Sequence, residues 1–445
     1  MQKEPEKEEH FLFNLRNFIF FIMVFAIGAT LYFSSSRKAA PSEKLAALAE
    51  KTYDFQMKMM LAQVLTKPES MSVEAFLGQV EFLFENLEKS PLISKDKIDA
   101  QKFMALRFLG QNSQLPESVT GSLKEEIHLI YNRNRSPGPD AKVYKMPMGN
   151  LAKLHLLAAE GNQSEYNEML EQMKSEAYSL LLKMQAVFFL ILILFTSGIF
   201  ILISFLKKKE KISHFIPAVE LIPLKNRRLL IETFILHLFL MFPVASYISM
   251  VLPGLNLYVF NAAYIPFVFF LSLLYYWKNS SPDHFLKELI LGIPEVNWIK
   301  EILFGIIGFI AIFPVAVLSL VMGLGIMDGP DVRFAHPVTF AIKDHLYLIF
   351  FLAVIVAPVT EEIIFRSFFY GFLRSYMRIH MAVIFNGFIF AVLHPQGMAA
   401  GLYLMVVGGG LAVLREFRQG LIAPITTHML INLLATSAAY LIWQG

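Results

Sequence analysis

The chain has 445 residues, of which 56% are hydrophobic and 17% charged, and its mean hydropathy is +0.52. This balance excludes a disordered chain and a purely soluble enzyme, and it indicates a protein with several membrane spans. The absence of cysteine excludes disulfide frameworks, cysteine-ligated zinc and thiol catalysis. A net charge of +3 is too small to indicate nucleic acid as a partner.

The N-terminus carries the first apolar segment. Residues 18–33 form a charge-free run, which residues 11–15 extend to the length of a short membrane span. A cleaved signal peptide is the alternative. The acidic start of the chain and the lack of a clear small-residue cleavage site favour a retained membrane anchor over residues 1–33.

Residues 34–183 have the charge density of a soluble domain. Apolar residues recur at helical spacing in residues 43–64, 72–88 and 151–173, and prolines interrupt the pattern between them. We therefore predict a small helical domain inserted between the first two spans, with no visible chemistry and an unknown partner.

The remaining chain contains the other spans. The second span is predicted at residues 184–205, and residues 184–228 include a basic linker that marks the cytoplasmic side. Seven more spans are predicted at residues 229–251, 257–277, 302–326, 346–373, 381–393, 401–414 and 421–443. The predicted fold is all-α: a multi-pass bundle of about nine spans. Its N-terminus is inside, its helical domain is outside the cytoplasm, and its core is residues 229–445.

Ionisable residues inside a membrane are costly and therefore candidates for function. The first group is Glu361, Glu362 and Arg366. Residues four apart share a helix face, so Glu362 and Arg366 are predicted to pair. Glu361 points elsewhere and lacks a local counter-ion, which suits a general base.

Two further motifs follow. His394 comes at the end of a span, just before Pro395; a lone histidine in such a place is more often structural than catalytic. His428 and Asn432 share a face of the last span. They are either polar contacts between helices or donors to a developing oxyanion.

Two other features are predicted to be structural. Asn386 is predicted to be a packing amide. Gly408-Gly409-Gly410 is predicted to permit close helix packing rather than to bind phosphate, because no strand precedes it.

Together, Glu-Glu-x-x-x-Arg, Phe-x-x-x-His and His-x-x-x-Asn on late membrane helices resemble the CPBP family, the CAAX-prenyl proteases and bacteriocin-processing enzymes also called Abi. The resemblance covers roughly residues 295–443. It implies an intramembrane endopeptidase in which Glu361 and His394 activate water. His428 and Asn432 would stabilise the oxyanion, and Glu362 and Arg366 would support the first motif.

The resemblance leaves the cofactor open. The family has been described as zinc-dependent and also as glutamate-type without metal. Glu361, His394 and His428 would be the ligands if zinc is present. The different surroundings of the two glutamates favour a mechanism that requires no metal.

The predicted substrate is a protein or peptide near the bilayer, and a bacterial inner membrane is the predicted location. The alternative function is a non-catalytic scaffold or bacteriocin-immunity protein that retains the fold. A proton-coupled transporter is disfavoured because no inverted repeat is visible.

Overall fold

The computed structural model describes residues 15–36, 43–67, 94–207, 224–252, 257–280, 297–326, 345–394 and 397–444, with a few positions between 72 and 85. None of the described residues lies in a β-strand, which confirms the predicted all-α fold. The start of the predicted anchor, much of the 72–88 segment, residues 208–223 of the basic linker, and Pro395 lie outside the described residues.

In chain order the α-helices are α1 (Leu15–Ser36), α2 (Glu43–Leu65), α3 (Lys95–Phe108), α4 (Gly121–Arg133), α5 (Gly149–Ala159), α6 (Gln163–Lys207), α7 (Leu224–Phe239), α8 (Ala245–Val251), α9 (Leu257–Asn279), α10 (Trp298–Ile326), α11 (Leu346–Phe350), α12 (Ala357–Glu362), α13 (Tyr370–Arg374), α14 (Ile379–Val392), α15 (Gly397–Arg418) and α16 (Ile422–Gln444). A short 3-10 helix covers Lys142–Lys145. Three π-helical segments cover Leu240–Val244, Phe351–Val356 and Ile363–Phe369.

Contacts divide the chain into two compact units, one within residues 41–192 and one within residues 1–40 and 193–439. The first unit has its own apolar core, to which α2, α3, α4 and α5 contribute. A buried amide links three of these elements: Gln101 on α3 donates to the Tyr53 hydroxyl on α2 at 2.8 Å and accepts from the backbone N–H of Met148, the residue before α5, at 3.2 Å. Burial raises the pKa of Tyr53, so its hydroxyl stays protonated at neutral pH.

Seven helices among the described residues are long and apolar enough to cross a membrane. They are Gln163–Phe205, Arg227–Val251, Val259–Asn279, Trp298–Gly323, Leu346–Arg374, Ala400–Arg418 and Ile422–Tyr440. The other two predicted spans correspond to the shorter apolar helices Ile19–Leu31 and Ile379–Val392. The protein is therefore an integral multi-pass membrane protein. The predicted boundary between the helical domain and the second span, at residues 183 and 184, lies within one continuous helix, α6.

The predicted span at residues 346–373 is not a uniform α-helix. Its α-helical piece α12 lies between the π-helical segments Phe351–Val356 and Ile363–Phe369. Each π-helical bond closes a wider turn than an α-helical bond does, and such segments are frequent at functional sites. We call the whole stretch of residues 346–374 the glutamate helix.

Glycines bring α15 close to its neighbours α14 and α10. A Cβ atom on Gly387 of α14 would lie 2.4 Å from the carbonyl oxygen of Met405. A Cβ atom on Gly408 would lie 3.1 Å from the Cα of Gly387, and one on Gly410 would lie 2.8 Å from Ile312. The predicted packing role of the glycine run is thus confirmed.

Candidate active site

Glu362 and Arg366 form the buried part of the site. Nη1 of Arg366 lies 3.1 Å from Oε1 of Glu362, and both side chains are 0% exposed. This confirms the predicted pairing along one helix face. The Nη1 hydrogens do not point at the oxygen, so the contact is an ion pair rather than a hydrogen bond. Nη2 of Arg366 donates to the carbonyl oxygen of Gly408 at 3.2 Å, which joins the glutamate helix to α15.

Glu362 also contacts the last helix. Its Oε1 lies 2.8 Å from Nδ1 of His428, and both groups are buried. Because Arg366 pairs with Glu362, we assign the carboxylate as the acceptor and Nδ1 of His428 as the donor. The sequence contained no signal for this contact, since 66 residues separate the two side chains.

Glu361 faces two imidazole rings. Its Oε2 lies 3.7 Å from Nε2 of His394 and 3.8 Å from Nε2 of His428. The Glu361 side chain is 27% exposed. Its Oε2 atom is itself buried and has no hydrogen-bond partner within the described parts of the chain. The neighbouring glutamates therefore differ in surroundings, as the sequence predicted.

The far side of each ring determines which nitrogen carries the hydrogen. Nδ1 of His394 lies 2.7 Å from the carbonyl oxygen of Phe390. A carbonyl oxygen can only accept, so this Nδ1 donates. Nδ1 of His428 donates to Glu362, as described above. In their neutral forms both rings therefore present the lone pair of Nε2 towards Glu361.

Asn432 lies one helical turn after His428 on α16. Its Nδ2 donates to the carbonyl oxygen of Ala353 at 2.8 Å, in the π-helical segment that precedes Glu361. A side-chain amide has two N–H hydrogens, so this bond uses one and leaves one. The structure thus brings Glu361, His394 and His428 together, while Asn432 contacts the glutamate helix nearer its start.

The aromatic ring of Phe390 packs beside the site. The ring of Phe390 lies 4.5 Å from that of His394 and 5.9 Å from that of His428, measured between centroids. The guanidinium of Arg366 lies 4.7 Å from the centroid of the same ring. Phe390 therefore packs against the Arg366 guanidinium and against both imidazoles. The sequence motif included Phe390, but it did not reveal the backbone acceptors at Gly408 and Ala353.

Two imidazole nitrogens and a carboxylate are suitable zinc ligands. Ligands about 2.0 Å from a tetrahedral zinc ion lie about 3.3 Å apart, less than the 3.7 and 3.8 Å that separate the two Nε2 atoms from Oε2 of Glu361. Within the described residues, no group of three or more histidine, aspartate or glutamate side chains is arranged to hold a metal ion. As they stand, the two Nε2 atoms lie slightly too far from Oε2 of Glu361 for tetrahedral zinc.

The family described as "Type II CAAX prenyl endopeptidase Rce1-like" matches residues 343–434. This segment contains all six site residues predicted from the sequence, and residues 1–342 lie outside it. The match confirms the resemblance to CAAX-prenyl proteases and supports intramembrane protease activity. No curated protein and no solved structure matches the chain.

Proposed function

Because residues 343–434 match the CAAX-prenyl endopeptidase family, we propose that this membrane protein is an intramembrane endopeptidase with a glutamate-activated water as its nucleophile. Its substrate is a protein or peptide held near the bilayer. The observation that carries the proposal is the approach of two imidazole Nε2 atoms to the same oxygen of Glu361.

With His428 protonated throughout the reaction, Oε2 of Glu361 and Nε2 of His394 are two hydrogen-bond acceptors that favour a donor such as water between them. The separations of 3.7 and 3.8 Å are short enough for one water to reach Oε2 of Glu361 and an Nε2 atom at about 2.8 Å each. The Glu361 side chain is 27% exposed, although its Oε2 atom is buried. Glu362 is paired with Arg366 and fully buried, so it is the poorer base.

The first chemical step forms the tetrahedral intermediate. Glu361 takes a proton from the water, and the water oxygen attacks the carbonyl carbon of the scissile peptide bond. His394 orients the water through its Nε2 lone pair, because its Nδ1 hydrogen is held by the Phe390 carbonyl. The negative charge moves to the former carbonyl oxygen.

His428 and Asn432 stabilise that oxygen in our proposal. A protonated His428 donates from Nε2, and the Glu362 carboxylate at Nδ1 stabilises the resulting imidazolium. Asn432 donates the N–H that Ala353 does not use. Donors of this kind act strongly where water is excluded.

The second step breaks the peptide bond. Glu361 returns its proton to the leaving nitrogen as the carbon–nitrogen bond cleaves. The products are a carboxylic acid and an amine, and the site regains its starting protonation. No nucleophilic side chain is consumed, in keeping with a chain that has no cysteine.

The test uses the full-length protein in lipid nanodiscs, incubated with solubilised membrane proteins. Mass spectrometry of newly formed N-termini measures cleavage, and a quenched CAAX-type peptide with and without a prenyl group provides a defined probe. We expect Glu361→Gln to lower the cleavage rate by about 10²–10⁴-fold. Equal cleavage by the wild-type and variant proteins would contradict the mechanism, and no cleavage by either would favour the scaffold alternative.

We further propose a bacterial inner membrane as the location, with the N-terminus in the cytoplasm. Two basic residues at the helix ends that we assign to the cytoplasmic face contact neighbouring helices. Arg228 donates to Asn17 at 2.5 Å, and Arg418 pairs with Glu301. Basic residues at span ends favour the cytoplasm. A phosphatase fused after residue 140 should be active outside the cell membrane, and one fused after residue 280 should be inactive.

A further inference from the structure

A buried amide on α14 contacts the glutamate helix. Asn386 is 0% exposed, and its Nδ2 donates to the carbonyl oxygen of Phe365 at 3.0 Å. Phe365 lies in the π-helical segment that follows the two glutamates. Its carbonyl also accepts the backbone N–H of Tyr370, the residue directly after that segment. Asn386 thus binds the widened turn at a carbonyl that already has one backbone partner.

Asn386, Phe390 and His394 are spaced four residues apart, and side chains at this spacing lie on one side of a helix. The ring of Phe390 packs edge-on against that of Phe365 at 5.1 Å. One turn further, Nε2 of His394 lies 3.7 Å from Glu361. Three successive turns of this side therefore contact the glutamate helix through an amide, a ring and an imidazole.

His394 lies two residues beyond the end of α14. Its Nδ1 and its backbone N–H bond to the carbonyl oxygens of Phe390 and Ala391, both in the last turn of that helix. The ring consequently follows any shift of α14. A slide or rotation of α14 against the glutamate helix would change the distance from His394 to Glu361.

We propose that Asn386 is a positioning residue for peptide hydrolysis. Its N–H bond to the Phe365 carbonyl sets the register of α14 against the glutamate helix, and thereby the distance between His394 and Glu361. This inference rests on the proposed function, since it concerns the same site.

The amide oxygen of Asn386 indicates that this residue does more than pack against its neighbours. Oδ1 of Asn386 is buried and has no hydrogen-bond partner among the residues that the structure describes. A buried acceptor without a partner lowers stability, whereas an apolar group of similar shape does not. Leucine would serve packing better here. The amide therefore supplies a directional contact that leucine cannot.

The test substitutes Asn386→Leu in the full-length protein in nanodiscs. The Phe365 carbonyl retains its backbone bond, so we expect the melting temperature to be unchanged or higher. We expect kcat to fall by about tenfold to a hundredfold, because small misplacements of reacting groups are costly. KM should be unchanged, since the amide does not touch substrate. Asn386→Val likewise removes the N–H donor without adding a polar atom, and the same loss of kcat is expected.

Ser272→Ala is the matched control. It removes a buried hydroxyl that bonds to His237 and to the Val268 carbonyl, far along the chain from the site. We expect its kcat to remain at the wild-type value, whatever its melting temperature. If the loss of kcat were proportional to the loss of melting temperature in the Ser272 and Asn386 variants alike, the effect would be one of stability. That result would overturn the inference.

Wild-type kcat in both Asn386 variants would also overturn it, as would loss of folding in both, since unchanged stability is expected. Glu361→Gln distinguishes failure of this inference from failure of the proposed function. If Glu361→Gln retains activity, the proposed function itself is wrong. If Glu361→Gln loses activity and both Asn386 variants retain it, only the positioning role of Asn386 is wrong.

Discussion

Nδ1 of His428 lies 2.8 Å from Oε1 of Glu362, and through this contact the last helix is joined to the buried Glu362–Arg366 ion pair. One carboxylate oxygen thus contacts both an arginine and a histidine. The ion pair balances the charge of Glu362, and Glu362 in turn sets which nitrogen of His428 carries the hydrogen. The residue next to Glu362 in the chain, Glu361, then faces the free nitrogen of the same ring.

The two glutamates should respond oppositely to the same substitution. Glu362→Gln leaves Arg366 buried without its counter-ion, and we expect a loss of about 3–5 kcal/mol in stability. Glu361→Gln should leave stability nearly unchanged while activity falls, because Glu361 is partly exposed and lies no closer than 3.7 Å to His394. Thermal unfolding of both variants in nanodiscs measures the difference. Similar melting temperatures for the two would contradict the assignment of roles.

Asn432→Ala should lower kcat by about 10²–10³-fold with little change in KM, because an oxyanion donor acts mainly in the transition state. Steady-state kinetics with the CAAX-type peptide probe measures this. Thr436→Val, one turn further along α16 at a buried position, is the control and should retain wild-type kcat. A rise in KM with constant kcat in Asn432→Ala would assign Asn432 to substrate binding instead.

Treatment with a chelator should leave activity unchanged. The distances from Glu361 to His394 and His428 suit a water rather than tetrahedral zinc. The measurement is peptide cleavage after dialysis against EDTA and 1,10-phenanthroline, with metal content determined by mass spectrometry. Activity that disappears and returns with added zinc would instead assign these three side chains as metal ligands.

Gly387→Ala should destabilise the membrane unit by about 1–3 kcal/mol. The added methyl group would lie 2.4 Å from the Met405 carbonyl oxygen and 2.9 Å from the Gly409 nitrogen, and backbone atoms cannot rotate away. Gly401→Ala on α15 is the control, because nothing lies within 4 Å of its added methyl group. Equal melting temperatures for the two variants would show that α14 and α15 tolerate separation.

The sequence by itself determined the all-α fold and the membrane character, and it indicated six candidate site residues whose catalytic roles stay predictions. These properties depend on composition and on short spacings. Apolar runs must cross the bilayer as helices because no water satisfies their backbone groups there. Ionisable residues within such runs stand out because they are costly. The Glu362–Arg366 pair was predictable because its two residues lie one turn apart.

The tertiary structure decided which groups meet across helices. The contacts of Glu362 with His428, of Glu361 with His394 and of Asn386 with Phe365 join residues far apart in the chain. They depend on how closely helices approach at glycines and on where the backbone widens into π-helical turns. Helical periodicity describes the faces of one helix, whereas the direction and depth of each neighbour follow from packing, so only the folded bundle specifies which carboxylate is paired and which faces the imidazoles.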